Sequence, residues 1–184
     1  PSLLPSKGRG VLAPPVPKPI LGTCARTLKD DPDTNCLTQY FGYTSFAAAG
    51  GYNGNGHNGI DFRAEIWTPV FAAEGGIVAG TGDTDIGCRR ASYGKWILIR
   101  HSNNLTTLYA HLSGVGVSAG QQVARGDRIG YSGVSGYATG PHLHFSVFAT
   151  QGVRIENLRS RVCGTTMSVP ISAVNGYLNP LDYL

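Results

Sequence analysis

From residue 37 onward, apolar and polar positions alternate in short runs broken by glycine, asparagine and serine. A period of two marks a half-buried β-strand. The pattern predicts strands over residues 95–101 and 105–112, joined as a hairpin through Ser102-Asn103-Asn104. It also predicts strands over 37–42, 68–72, 76–80, 115–117, 127–131, 142–148 and 153–157. Between them fall a turn at 82–85 and loops over 86–94, 119–120 and 133–140, and the tail ends in a short helical turn near 179–184. No segment holds a helical period and no repeat is present, so the chain predicts an all-β domain of small antiparallel sheets with little helix.

The first 22 residues break this pattern. They hold six of the eleven prolines, together with Lys7, Arg9 and Lys18. Proline fixes φ and lacks a backbone donor, so residues 1–22 read as an extended arm or linker, a spacer rather than a ligand for a proline-binding partner. Residues 23–184 then form a single β domain with its core over about 37–150 and a tail over 151–184.

Composition sharpens the β reading. The 184 residues include 26 glycines and only 14% charged residues, which suits turns and strands better than helices. The fifteen Lys and Arg are scattered, and the net charge of +4 gives no nucleic-acid footprint, only a weak attraction to an anionic polymer or surface. No run approaches the ~20 apolar residues of a membrane span. No signal peptide is present, and a chain beginning at Pro1 reads as a mature product or a piece of something longer.

Cys24, Cys36, Cys88 and Cys163 are even in number, and no two form a CxxC pair. Two disulfides are favoured over four buried thiols, hence an oxidising compartment: secreted, periplasmic or cell-wall associated. Of the three possible pairings, a short Cys24–Cys36 loop with Cys88–Cys163 tying a mid-chain loop to the tail is favoured.

The chemistry gathers on histidines. His142 and His144 stand two apart in the strand at 142–148, so both point to one face while Leu143 and Phe145 point to the other. His57 and Asp61 stand four apart at the end of a Gly/Asn-rich stretch, a spacing that returns both to one side of an extended segment. That stretch is no phosphate cradle, since no Lys-Ser/Thr or helix follows. His111 lies within another strand. A catalytic zinc needs three N or O ligands and one open position, which two His and one Asp satisfy, leaving two histidines to move protons. Singly, each is more simply a hydrogen-bonded structural residue; together they are not. His101, in register with Ile97 and Ile99, reads as structural. Tyr52 is a candidate oxyanion donor, and Asn55 and Tyr137 are candidate substrate contacts; Arg89 and Arg90 read as solvated loop.

The phrases Gly-His-Asn-Gly-Ile-Asp-Phe at 56–62, Thr-Leu-Tyr-Ala-His-Leu at 107–112 and Gly-Pro-His-Leu-His-Phe at 140–145 resemble the three signature blocks of the lysostaphin-type zinc metallopeptidases. The segment 126–133 resembles that family's loop before the last block. The resemblance covers about residues 37–150. It implies the duplicated hybrid motif fold, a barrel-sandwich hybrid. It also implies one Zn2+ per chain, held by His57, Asp61 and His144, with His111 and His142 as unligated catalytic histidines. The implied activity is hydrolysis of peptide bonds in bacterial peptidoglycan, in stem peptides or cross-bridges. The alternatives are a dormant wall-binding module that regulates another hydrolase, and a zinc-independent carrier domain with one reactive histidine. Family members of the dormant sort lose ligands, whereas all five positions here are kept.

Overall fold

The computed structural model describes residues 6–24, 33–49 and 55–184. Among these the chain is almost wholly strand: β1 (Pro19–Thr23), β2 (Asn35–Gln39), β3 (Ile60–Arg63), β4 (Pro69–Phe71), β5 (Gly76–Asp83), β6 (Lys95–His101), β7 (Leu105–Val115), β8 (Gln122–Val123), β9 (Arg128–Ser132), β10 (His142–Ala149), β11 (Val153–Arg159), β12 (Thr166–Ser172) and β13 (Tyr177–Leu178). One helix, α1 (Ser45–Ala48), is a single turn capped by the Thr44 side chain. The all-β expectation holds.

Eleven strands join one open hydrogen-bonded sheet along the path β1-β2-β3-β10-β7-β6-β5-β8, with β13 on β10, β9 on β7 and β4 on β9. All pairings are antiparallel except β1 with β2. The strand with the two histidines, β10, sits in the middle of this path. It pairs His144 with Asp61 of β3 on one side and with Ala110 of β7 on the other. The register alone therefore brings three of the sequence blocks together.

Alternation explains why that register holds. Leu143, Phe145 and Val147 of β10 are fully buried in the main core with Ile60 and Phe62 of β3 and Tyr109 of β7. Each such side chain contributes about 1.5–3 kcal/mol on burial, and a slip by one residue would turn all of them outward. A second, smaller cluster of Trp96, Leu98, Leu108, Ala110 and Phe148 lies beyond it.

Several local expectations differ from the structure. β5 runs on to Asp83, and only Thr84–Ile86 forms the turn. β7 continues through the expected break to Val115, so no separate strand begins there. It does so across a bulge, where the register shifts between Leu112 and Gly114. In the tail, β12 pairs with β11 as a two-stranded ribbon, a strand that its Pro170 concealed. The helical turn near the end is present at Pro180–Asp182.

Within residues 1–22, Leu12 and Val16 are buried in the main core. The backbone of Leu12 donates to Tyr183 O, and Gly8 to Asp182 O. Tyr183 and Leu184 are buried alongside. The two ends of the chain close one side of the core together. Proline loses little backbone entropy on ordering, which makes such an extended strap inexpensive to hold.

Cys24 is joined to Cys36 and Cys88 to Cys163, and no cysteine among the described residues is free. The second bridge spans 75 residues and fastens the 84–94 loop to the tip of the β11–β12 ribbon. A two-stranded ribbon is marginal alone; a closure of this length contributes about 4 kcal/mol in the chain-entropy limit.

Candidate metal centre

Asp61 leaves β3 and His144 leaves β10 on the same face, at paired positions. His57 joins them through a short bridge to Gly42, with its N–H donating to Gly42 O and its carbonyl accepting from Gly42 N. The three side chains converge. His57 Nε2 lies 3.1 Å from His144 Nδ1 and 3.2 Å from Asp61 Oδ1, and His144 Nδ1 lies 2.9 Å from the same oxygen. All three residues are buried, at 2%, 7% and 4% exposure for His57, Asp61 and His144. Among the described residues this is the group of His, Cys, Asp and Glu able to hold a metal ion.

The ring orientations follow from backbone carbonyls, which can only accept. His57 Nδ1 is 2.9 Å from Tyr40 O, His111 Nδ1 is 2.8 Å from Ser135 O, and His142 Nδ1 is 2.8 Å from Gly140 O. Each Nδ1 therefore carries the proton, and each neutral ring presents its Nε2 lone pair. His144 is turned the other way: its Nε2 meets Ser146 Oγ at 2.7 Å and its Nδ1 faces the cluster. Outer partners of this kind fix tautomer and ring plane in metal-binding histidines.

These contacts provide the test of whether the donors suit a cation. Two imidazole nitrogens and a carboxylate oxygen crowd within hydrogen-bond distance of one another, and neutral rings supply at most one proton among the three contacts. Burial favours the neutral carboxyl, yet hydrogen bonds and charge from His144 and His57 hold Asp61 ionised, well below the usual carboxylate range. Burial pushes the His144 imidazole down, against the pull of Asp61. A buried anion faced by two basic nitrogens is short of positive charge, and a divalent ion with N and O preferences fits the set.

His111 and His142 stand beside this triangle. Their rings are 4.7 Å apart, His111 is 5.9 Å from the His144 ring, and His142 Nε2 is 3.9 Å from Asp61 Oδ2. His111 lies where the register of β7 against β6 shifts, between the Tyr109–Ile97 and Leu112–Lys95 pairs, and has φ of 60°, a left-handed conformation costing about 1–2 kcal/mol for a residue with a side chain. Burial, and after it the neighbouring His142 and His144, push its imidazole down to about 3. His111 is thus neutral at physiological pH, as a proton acceptor must be.

The remaining candidates are dispersed. His101 is buried, with Nδ1 2.9 Å from Gly75 O and Nε2 2.8 Å from Thr107 Oγ1, which lies 2.9 Å from the Tyr109 hydroxyl. It belongs to a polar chain inside the core. Tyr52 falls outside the described residues. Tyr137 is 60% exposed, and its N–H donates to Ser92 O. Arg90 donates its backbone N–H to Asp85 Oδ1.

Sequence reasoning passed over Tyr93. Its ring lies 5.7 Å from that of His144, its hydroxyl accepts from Asn58 Nδ2 at 2.7 Å, and its carbonyl accepts from His111 N. Burial pushes its phenol up. A single tyrosine in a loop carries no spacing signal. The same is true of the carbonyls of Tyr40, Ser135 and Gly140, where any residue type can serve.

The model for peptidase family M23 matches residues 55–156, more than half of the chain. The peptidoglycan DD-endopeptidase ShyA of Vibrio cholerae is 45% identical over 92 residues, which is 50% of this chain and 20% of that protein. The chain thus spans about a fifth of that relative's length. A zinc-containing peptidase from Vibrio cholerae superposes with a TM-score of 0.52 at 32% identity, covering 62% of this chain and 33% of that one. The catalytic domain of lysostaphin from Staphylococcus simulans superposes with a TM-score of 0.57 at 27% identity, covering 86% of this chain and 96% of that domain.

Proposed function

The chain belongs to peptidase family M23, and from that membership we propose that it is a zinc metalloendopeptidase cutting peptide bonds in bacterial peptidoglycan. The observation that carries the reading is the convergence of His57 Nε2, Asp61 Oδ1 and His144 Nδ1, with two further imidazoles beside them. The three side chains would hold one Zn2+ per chain; N and O donors suit zinc, and the similar Vibrio cholerae structure is described as zinc-containing. A bound zinc ion supplies Lewis acidity, bringing the pKa of water near ~7 and polarising a peptide carbonyl.

The protein side of the reaction falls to His111 and His142. Each keeps its Nδ1–H on a backbone carbonyl and offers Nε2. One lone pair takes the proton of the attacking water. The resulting N–H can then donate to the oxygen that gains charge, or deliver the proton to the departing amine. Asp61, besides its place among the three donors, lies 3.9 Å from His142 Nε2 through its second oxygen.

Among wall bonds, a cross-link between D-amino acids is the favoured target, because the relative at 45% identity is named a DD-endopeptidase. Two disulfides favour work outside the cytoplasm. A dormant, regulatory module would leave the buried triangle and both Nε2-presenting histidines without a purpose.

The test is incubation of the pure protein with defined muropeptides, with and without chelator, and product analysis by mass spectrometry. Chelator-sensitive scission of one peptide bond is expected. Binding without scission by the zinc-loaded protein would overturn the assignment in favour of a module.

A further inference from the structure

One carboxylate outside the cluster is wired to it. His111 Nδ1 is 2.8 Å from the carbonyl oxygen of Ser135. The same peptide unit ends in the N–H of Gly136, which donates to Asp85 Oδ2 at 2.9 Å. Among the described residues every peptide bond is trans, so the two hydrogen bonds leave this planar amide in opposite directions. The order is carboxylate, amide N–H, amide C=O, imidazole N–H.

The unit is gripped from every side. Ser135 Oγ accepts from Lys95 N at 2.9 Å and donates to Leu112 O at 2.7 Å. Tyr137 N donates to Ser92 O. Gly136 has φ of +68° and packs on Gly94; a Cβ there would meet Ser92 O at 2.5 Å and Gly94 Cα at 2.7 Å. Asp85 is itself fixed, its N–H donating to Asp83 Oδ1 at 3.0 Å and its other oxygen accepting from Arg90 N at 2.7 Å. This loop lies next to Cys88, whose disulfide anchors it to Cys163.

We propose that Asp85 is a positioning residue for His111, acting through the Ser135–Gly136 peptide. The Ser135 carbonyl sets the ring plane and tautomer of His111, and a carbonyl alone is a modest anchor. An anion hydrogen-bonded to the far end of the same amide polarises it and strengthens the carbonyl as an acceptor, because hydrogen bonds in a chain reinforce one another. The charge is delivered without placing a second carboxylate against the metal ligands. No proton crosses the amide: Nε2 gains the proton, Nδ1 keeps its own, and Asp85 stays an anion. The inference rests on the proposed role of His111 in proton transfer.

The test compares wild type with Asp85→Asn, which removes the charge at nearly constant shape. In the metal-free, 15N-labelled protein, the His111 Nδ1–H and Gly136 amide proton resonances are expected to move upfield together in the variant. In the zinc-loaded protein, kcat on a soluble muropeptide should fall by about 10-fold to 100-fold, the range for outer partners of site histidines, with KM within about twofold and zinc content unchanged. Asp85→Glu should restore part of both signals. If Asp85→Asn fails to fold, Asp85→Ser takes its place in the same comparison. An unmoved His111 proton, or a loss of activity matched by loss of zinc or of folded protein, overturns the proposal. A wild type that cuts no muropeptide would fail the peptidase reading instead, and the resonance comparison would still report the relay.

Discussion

Asp61 and His144 face each other across the β3–β10 ladder, and their side chains meet at 2.9 Å between Oδ1 and Nδ1. The contact is built by sheet register. Leu143 and Phe145 fill the core on the opposite face of β10, so the packing that fixes the strand also fixes the donors. Stability and site geometry share one cause here, and substitutions that disturb the ladder should be read in the site.

His142→Ala separates metal binding from turnover. His142 is not one of the three converging donors, and its nearest approach to Asp61 is 3.9 Å. The variant is expected to keep full zinc content while kcat falls by about 100-fold or more, the size of a lost acid–base group. Metal analysis beside a muropeptide assay checks it; loss of zinc in step with activity would reassign His142 as a ligand.

Gly59→Ala tests the coupling of ladder and site. A Cβ at Gly59 would stand 2.7 Å from Ser146 Oγ and 2.9 Å from His144 Cε1, with the Phe145 carbonyl oxygen closer still. The carbonyl belongs to a central strand and cannot yield cheaply. The variant should lose about 1–3 kcal/mol of stability, the usual cost of overpacking, and bind zinc more weakly because His144 is displaced. Urea denaturation of the metal-free protein and zinc titration measure the two effects.

His101→Gln isolates a pH effect away from the metal. Burial pushes the His101 imidazole below its ordinary value, so the native state favours the neutral ring. The unfolded chain then binds more protons below about pH 6.5, and this contribution to stability is present above that pH and is lost as pH falls toward the native value. The slope from one group is at most about 1.4 kcal/mol per pH unit. Urea midpoints of metal-free wild type and variant should run parallel above pH 6.5 and converge below it. Parallel curves throughout would contradict the assignment.

The strand carrying His142 and His144 was legible in the sequence because a period of two needs only local alternation, and β6 falls at the residues where alternation places it. The approach of His57 to Asp61 was legible as spacing, although a bridge to Gly42 rather than one continuous strand produces it. What stayed hidden depends on distant partners. Leu12 and Val16 sit in a proline-rich stretch whose burial requires the chain's other end. β12 requires β11 opposite it. The link from Asp85 to His111 runs through a backbone amide, and every non-proline peptide unit carries the same two groups.

The most direct test of the metal centre is a zinc titration of the metal-free protein by calorimetry, for wild type and His57→Ala. One site per chain in wild type and none of comparable affinity in the variant is the predicted result. Stoichiometric zinc retained by His57→Ala, with affinity unchanged, would contradict the account.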